Sequence, residues 1–226
     1  MPNPAASKAE VYDLTPFTLL DFPDVPAAIL WFAGCNLRCP YCYNPHIVEG
    51  RGRLNLGDVL AFLNKRIGLL EGVVLSGGEP TLCKNLIGYA EEIKKLGFKI
   101  KLDTNATRPF TVKTLLEQKL LDYVALDFKA PQNGWGKTTG REAAGYDAFL
   151  QTLQTVQNSG VAYEVRTTFH PALLGVADLQ SMIDTLRHTG YDRPLYVQHY
   201  RHGSTLGNLP DAPRIELDFS KNIAQR

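Results

Sequence analysis

The segment AAILWFAGCNLRCPYC, residues 27–42, decides the fold because it joins a buried strand to a cysteine-rich loop. Residues 27–33 form an uninterrupted apolar run of the length expected for a strand that is buried on both faces. The residues that follow contain Cys35, Cys39 and Cys42. Because α/β folds build their sites in the loops that follow parallel strands, this segment predicts a functional site at the first strand–loop junction.

The same alternation of apolar strands and helical periodicity continues along most of the chain. Further strands are predicted at 72–76, 98–104, 122–128, 161–169 and 194–200. Between these strands apolar residues recur at helical spacing, for example at Leu86, Tyr89 and Ile93. Strands that alternate with helices predict an α/β protein with a parallel sheet, either an open doubly wound sheet or a barrel or partial barrel.

Length and composition bound the class of protein. The 226 residues are predicted to form one domain, 1–226, with an N-terminal segment at 1–26, the α/β core at about 27–200 and an irregular tail at 201–226. A formal net charge of +1 argues against a dedicated nucleic-acid binder. Without an apolar signal segment or a run long enough to cross a bilayer, the sequence predicts a cytoplasmic protein with no membrane partner.

Three closely spaced cysteines favour a metal centre, because a reducing compartment disfavours disulfides. A [4Fe–4S] cluster normally has one cysteine for each iron, so Cys35, Cys39 and Cys42 would leave one iron open to a small molecule. Structural zinc takes four nitrogen or sulfur ligands. His46 is near enough in sequence to be considered for zinc, whereas Cys83 is distant and begins a helix. Reduced thiols without metal are the third alternative.

The spacing C-x3-C-x2-C, with Tyr41 before the third cysteine, resembles the radical S-adenosylmethionine (SAM) enzymes. Three further segments follow in the order of that family, each at a predicted strand end: SGGEP (76–80), LDTN (102–105) and LDFK (126–129). The resemblance implies a partial (β/α)6 barrel and a [4Fe–4S] cluster on the three cysteines. It also implies that SAM binds the open iron and is cleaved reductively to a 5′-deoxyadenosyl radical.

The same resemblance assigns the contacts of SAM. Gly77 and Gly78 would let the backbone approach the methionine amino group. Glu79 would orient this loop or meet the same ammonium group, or it would simply cap a helix N-terminus. The residues near the adenine would be Tyr41, Cys42 and Tyr43.

The next two strand ends are implied to hold a monovalent cation beside the SAM carboxylate. Its ligands would be Asp103, Thr104, Asp127 and the carbonyl oxygen of Ala125. Lys129 would face the SAM carboxylate or ribose, and the alternative is a plain Asp–Lys ion pair. Asn105, also placed at the SAM site, is a turn former in its own right.

Three residues further along the chain complete the predicted site or stand apart from it. Arg166 lies within a strand, where a buried guanidinium needs a carboxylate or phosphate partner, so it would face SAM or an acidic side chain. His202 is favoured over His199 as the histidine near the SAM ribose, although either is compatible with a surface position. Cys83 is predicted to be a small half-buried side chain and not a ligand.

Longer segments resemble the small activases of glycyl radical enzymes, in particular the activating protein of anaerobic ribonucleoside-triphosphate reductase. These segments are LTPFTLLDFPD (14–24), CNLRCPYCYNP (35–45), LDTNATRP (102–109), DYVALDFKAP (122–131) and YEVRTTFHP (163–171). The resemblance implies an enzyme that abstracts hydrogen from a glycine of a partner, here anaerobic ribonucleotide reductase. Its electron donor would be of the flavodoxin or ferredoxin type.

Other functions remain open on the sequence. The chain could activate a different glycyl radical enzyme, such as pyruvate formate-lyase. It could act on a small molecule, as 7-carboxy-7-deazaguanine synthases do, although their cysteine loop is often longer. Outside enzymes, a metal-stabilised adaptor would also need the cysteines. SAM cleavage after anaerobic reconstitution separates the adaptor from the enzymes.

Overall fold

The computed structural model describes residues 9–141, 144–212 and 223–225. Within these ranges, eight strands form one sheet whose spatial order is the order of the sequence. The strands are β1 (Val11–Thr18), β2 (Ala27–Phe32), β3 (Gly72–Gly77), β4 (Lys99–Thr104), β5 (Tyr123–Asp127), β6 (Ala162–Phe169), β7 (Leu195–His199) and β8 (Ile223–Gln225). The helices are α1 (Pro45–Val48), α2 (Leu56–Asn64), α3 (Leu86–Lys95), α4 (Pro109–Glu117), α5 (Trp135–Thr139), α6 (Ala144–Gln157) and α7 (Val176–His188).

The central strands form the parallel sheet that the sequence predicts. Strands β2 to β7 pair in parallel, each with the next along the chain. At least one helix lies in each connection between them. No pairing joins β1 to β8 within the described residues, so the sheet is open along one side. The predicted α/β fold with a partial (β/α)6 barrel is confirmed.

Two further strands extend the sheet at its edges. Strand β1 pairs antiparallel with β2, from the pair Val11–Phe32 to the pair Thr18–Ala27, and its register is shifted twice. Most of its residues are half-buried or exposed, so it lacks the continuous apolar run that marks the central strands. Strand β8 pairs in parallel with β7.

Strand β8 corrects part of the predicted tail. An irregular segment is predicted over 201–226, and this is wrong for Ile223–Gln225. A three-residue strand has too few positions to show a period in the sequence. Residues 201–212 contain neither helix nor strand, as expected, and 213–222 lie outside the described residues together with the last residue. The division of the chain into one domain stays a prediction.

Helix starts and ends follow local signals. Helix α2 begins after Asn55, whose side chain accepts from the Asp58 N–H while Asp58 accepts from the Asn55 N–H, at 3.1 and 2.8 Å. This reciprocal pair is a capping box. Helices α3 and α6 end shortly before Gly97 and Gly160, where the sequence predicts their ends. No helix in the described part of the chain is long and apolar enough to cross a membrane.

The two faces of the sheet carry different side chains. The larger apolar cluster lies between the sheet and the helices and includes Leu30 and Leu102. A smaller cluster, which includes Ile29 and Val74, fills the interior near the N-terminal ends of the strands. Closer to the C-terminal ends the interior positions are polar, namely Ser76, Asp103, Asp127 and Arg166. The apolar cluster therefore fills one end of the barrel and leaves functional groups at the other.

Candidate active site

The C-terminal ends of the parallel strands surround a cavity of about 660 Å³. The residues of its lining that the sequence predicts are Cys35, Cys39, Tyr41, Cys42, Tyr43, Gly77, Gly78, Asp103, Thr104, Asn105, Asp127, Lys129, Arg166, His199 and His202. Glu79 and Ala125 lie outside this lining, and Cys83 is packed against the core instead. The fold thus brings together residues that are far apart in sequence.

The cysteine loop, residues 33–44, presents three thiols to this cavity. None of the cysteines forms a disulfide within the described residues. The Leu37 N–H donates to Sγ of Cys35 at 3.4 Å, and the side-chain amide of Asn105 lies 3.9 Å from the same sulfur. N–H groups directed at a sulfur help to orient and tune a metal-bound thiolate. The donor set and its N–H contacts fit a [4Fe–4S] cluster that is held by three cysteines.

The thiols of Cys35 and Cys39 carry no charge until a metal binds. Burial, to which the nearby Glu79 carboxylate adds, raises the pKa of the Cys35 thiol to about 12. Burial also raises the pKa of Cys39. Both groups are therefore protonated at neutral pH in the metal-free chain, and metal binding has to displace their protons.

The geometry disfavours the zinc alternative. Within the described residues, no three His, Cys, Asp or Glu side chains converge as the ligands of one ion would. The ring of His46 packs against Tyr12, with 5.5 Å between ring centroids, and it does not line the cavity. Thiols that share a cavity without meeting at one point suit a larger cluster, in which each holds a different iron.

Protein contacts and backbone geometry favour glycine at the end of β3 and directly after it. Gly77 has a φ of +125°, and a Cβ at Gly78 would lie 2.0 Å from the carbonyl oxygen of Gly34 and 3.2 Å from Cβ of Cys35. The sequence predicts that the missing side chains leave room for a ligand, and at Gly78 the contact with Gly34 is a further reason for glycine, while the ligand role stays a prediction. Although both glycines line the cavity, a side chain at Gly78 would displace the cysteine loop itself.

Glu79 joins two strand ends and does not reach the cavity. The side chain is 1% exposed. Its carboxylate accepts hydrogen bonds from the Thr104 hydroxyl at 2.8 Å, from the Asn105 N–H at 2.7 Å and from the Thr81 N–H at 3.1 Å. Burial raises its pKa, although these bonds oppose the shift. Loop orientation and capping of the turn Pro80–Leu82 are therefore its observed roles, and contact with the SAM ammonium group stays a prediction.

A charge network occupies the inner wall formed by β4, β5 and β6. The Arg166 guanidinium reaches Asp127 at 2.6 Å and Asp103 at 3.2 Å. Lys129 lies 3.1 Å from the other oxygen of Asp127, and the buried Lys101 pairs with Asp103. Burial alone would raise the pKa of Asp127, but Arg166 and Lys129 lower it to about 2. Asp127 is therefore ionised at neutral pH, and both carboxylates already have cationic partners in the chain.

This network changes the basis of the predicted cation site. Asp103 and Asp127 are predicted as ligands of a cation that would offset their charge. The structure already pairs them with Arg166, Lys101 and Lys129, so a bound cation would not be their only counter-charge. The plain Asp–Lys pair is present as well, while Lys129 also lines the cavity. The cation itself stays a prediction.

Aromatic side chains and histidines complete the rim of the cavity. Tyr41 is 4% exposed, and the Lys129 ammonium lies 5.7 Å from its ring centroid. Tyr43 stacks on Tyr200 at 5.7 Å, and its hydroxyl accepts a hydrogen bond from the Arg201 N–H at 2.6 Å. Their placement near the adenine of SAM stays a prediction. Because His199 and His202 both line the cavity, the preference for His202 also stays a prediction.

Sequence reasoning missed several residues of the site. Lys101 precedes Asp103 by two positions, and residues at this spacing lie on the same face of a strand. That spacing is a signal that predicts the buried pair. Trp31 lines the cavity, and its indole N–H donates to the Thr15 hydroxyl of β1 at 2.9 Å. This contact depends on β1, which the sequence does not predict. Arg201 and Gln198 also line the cavity.

The fold and this site are those of a radical SAM enzyme. Residues 29–188 match the model of the Radical SAM superfamily, which is more than half of the chain. The chain therefore belongs to the radical SAM superfamily and is an oxidoreductase. Membership implies SAM and a [4Fe–4S] cluster as cofactors.

Individual relatives show which members of the superfamily the chain resembles. The chain is 30% identical over 185 residues to a protein of Methanocaldococcus jannaschii named as a glycyl-radical enzyme activating enzyme, covering 80% of this chain and 76% of that one. It is 30% identical over 171 residues to the pyruvate formate-lyase-activating enzyme of Clostridium pasteurianum, covering 72% and 69%. SuiB of Streptococcus suis, solved with SAM, shares the fold with a TM-score of 0.63 at 17% identity, over 82% of this chain and 45% of that chain.

Proposed function

We propose that this enzyme activates a glycyl radical enzyme, and that the partner is an anaerobic ribonucleotide reductase. One electron and one SAM molecule would convert a glycine of the partner into a glycyl radical, with methionine and 5′-deoxyadenosine as products. The observation that carries the proposal is that one cavity is lined both by the three cysteines and by the ion-paired side chains at the ends of the parallel strands. The two activating enzymes at 30% identity support it.

Different residues of the chain would have different roles in this reaction. Cys35, Cys39 and Cys42 would hold the cluster, which supplies the electron that cleaves the sulfonium of SAM. Lys129 and Arg166 would place positive charge beside the SAM carboxylate, and Asp127 fixes both cations by direct ion pairs. A monovalent cation at Asp103, Thr104 and Asp127 belongs to the proposal as a further counter-ion.

An apolar surface beside the cavity supports a macromolecular substrate. Asp21 lines the cavity and accepts a hydrogen bond from the Thr18 hydroxyl at 2.5 Å. Between these two residues, Leu19 is 62% exposed and Leu20 is 92% exposed. Because the sheet is open along one side, a peptide segment could enter the cavity past this loop. The exposed leucines would then be covered by the partner.

The experiment is anaerobic reconstitution followed by reaction with candidate partners. With dithionite and SAM, we expect a glycyl radical signal in electron paramagnetic resonance on anaerobic ribonucleotide reductase. Its matched control is a reductase with the radical glycine changed to alanine. A glycyl radical signal on pyruvate formate-lyase alone would show that this enzyme, and not the reductase, is the partner. Turnover of the pterin substrate of 7-carboxy-7-deazaguanine synthases, without any partner protein, would reject the activase in favour of a small-molecule enzyme.

The remaining parts of the proposal follow from the chemistry. Cluster reduction needs an electron donor of the flavodoxin or ferredoxin type. Thiols stay reduced and free to bind iron in the cytoplasm. We therefore place the enzyme there. A metal-stabilised adaptor would bind iron or zinc and leave SAM intact, so the same reconstitution decides against it when 5′-deoxyadenosine forms.

A further inference from the structure

A second cavity lies behind the cysteine loop. It has a volume of about 330 Å³, and its lining includes Asn36, Leu37, Arg108 and Arg141. Leu37 also lines the SAM cavity, so the two cavities adjoin at this residue. A molecule at this surface therefore comes close to the cluster cysteines without entering the active site.

Hydrogen bonds join this second cavity to a cluster cysteine. Thr107, which lines it, accepts from the Asn36 side-chain amide at 2.7 Å. The Asn105 amide donates to the side-chain oxygen of Asn36 at 2.9 Å and lies 3.9 Å from Sγ of Cys35. A continuous polar path thus runs from the surface to the sulfur, beside the apolar contact through Leu37.

Basic residues lie on the elements that border this path. Arg38 is half-buried in the cysteine loop; its main-chain N–H donates to the Thr139 carbonyl of helix α5 at 2.7 Å, and its guanidinium donates to the carbonyl oxygens of Cys35 and Leu37 at 2.7 and 2.8 Å. The same short helix carries Lys137, which is exposed, as are Arg108 and Arg141. None of these four cations pairs with a carboxylate in the described part of the chain. Because the whole chain has a formal net charge of only +1, this grouping is a local feature.

We propose that this basic surface, formed by Arg38, Arg108, Lys137 and Arg141, docks an acidic one-electron carrier protein. Charge complementarity selects the partner, since a negative carrier is attracted and oriented by unpaired cations. The exposed ring of Phe110, at 81%, lies two residues after Arg108 and offers an apolar contact within a polar interface. In the transfer, the carrier loses one electron and the cluster gains it, and no bond or proton changes place.

This inference rests on the proposed reduction of the cluster, and its test separates the two. Arg108 and Lys137, which make no described hydrogen bond to the cysteine loop, are both changed to glutamate. The matched control changes Lys65 and Lys119, which are exposed on the opposite end of the sheet, in the same way. Binding of oxidised ferredoxin to the loaded enzyme is titrated first. The rate of 5′-deoxyadenosine formation is then measured with reduced ferredoxin and, separately, with dithionite.

We expect Arg108→Glu with Lys137→Glu to raise the ferredoxin Kd at least about tenfold and to lower the ferredoxin-driven rate similarly. The dithionite-driven rate should stay within about twofold of the wild type, because a small reductant needs no docking surface. Raising the salt concentration should weaken ferredoxin binding to the wild type more than to this variant, because salt screens exposed charges.

Equal changes in the test and control variants would overturn the proposal, because net charge alone would explain them. A variant that loses iron is replaced by Arg108→Gln with Lys137→Gln, and a normal ferredoxin Kd there would also overturn it. So would binding of inorganic phosphate at constant ionic strength without any ferredoxin binding, which would make the cavity a small-anion site. If the proposed function fails instead, dithionite supports no SAM cleavage in the wild type, while the ferredoxin Kd still reports on the surface.

Discussion

The charge network and the cysteine loop line the same cavity but are completed in different ways. In the network, Asp103 and Asp127 are paired with cations of the same chain. In the loop, burial raises the pKa of Cys35 and Cys39, so these thiols are neutral until metal displaces their protons. The inner wall is therefore organised before any cofactor binds, whereas the loop is completed only by its cluster.

The largest effect is expected from the cysteine loop. Changing Cys35, Cys39 or Cys42 to serine should abolish iron binding and SAM cleavage, because a hydroxyl is a poor substitute for a thiolate ligand. Cys83→Ser is the matched control, since Cys83 packs against the core away from the cavity. Iron and sulfide analysis after anaerobic reconstitution measures both. Iron loss in the Cys83 variant equal to that of the others would contradict the assignment.

A smaller effect is expected from the network. Asp127→Asn removes the carboxylate that Arg166 and Lys129 share in a half-buried wall, although Arg166 keeps its pair with Asp103. Losing such a pair should cost about 1–3 kcal/mol, between the values for exposed and for buried pairs, and the variant should bind SAM more weakly. Its iron content should be normal, because the cysteines lie on another loop.

Urea unfolding and SAM titration measure these changes for Asp127→Asn. The control is Lys99→Met, which breaks the exposed pair of Lys99 with Glu71. Such surface pairs contribute about 0–1 kcal/mol. Equal stability losses in the two variants would show that the buried network is not a special source of stability.

Acid should destabilise the folded chain through the same network, by a smaller free energy of unfolding. The pKa of Asp127 is about 2 in the folded chain and about 3.9 in an unfolded one. As pH falls from about 4 to about 2, the unfolded chain takes up this proton first, so stability is lost over that window. In the metal-free protein, the unfolding free energy of Asp127→Asn should depend less steeply on pH there. Parallel profiles for variant and wild type would remove Asp127 from the acid response.

The smallest effect concerns the proposed monovalent cation. Because Lys101 and Arg166 already balance Asp103, exchanging sodium for potassium or for a bulky organic cation should change wild-type SAM turnover by only about twofold. Lys101→Met removes one internal cation, so turnover of this variant should depend more strongly on the identity of the salt at constant ionic strength. Identical dependence in both proteins would exclude a counter-ion role for the cation at Asp103.

Most of the fold and of the site lining could be predicted from the sequence. Buried parallel strands give continuous apolar runs, and the motifs at their ends place Cys35, Asp103 and Asp127 at one edge of the sheet. What could not be predicted depends on partners from distant parts of the chain. Glu79 becomes a link between strand ends only when Thr104 and Asn105 reach it.

Edge strands show the same limit. Strand β1 has no continuous apolar run, because most of its residues are half-buried or exposed. Its register with β2 also shifts twice. The contact of Trp31 with this strand therefore cannot be predicted from the sequence either. The sequence predicts Gly78 as a site residue, but it does not show the additional contact with the carbonyl of Gly34, forty-odd residues earlier in the chain.

The most direct test of the account is SAM cleavage by the reconstituted protein under anaerobic conditions. With dithionite, the wild type should convert SAM to 5′-deoxyadenosine and methionine in equal amounts. The reduced cluster should also change its electron paramagnetic resonance spectrum when SAM is added. Cys39→Ser should do neither. A wild-type protein that holds a full cluster but leaves both SAM and its spectrum unchanged would contradict the central claim that this cavity is a radical SAM active site.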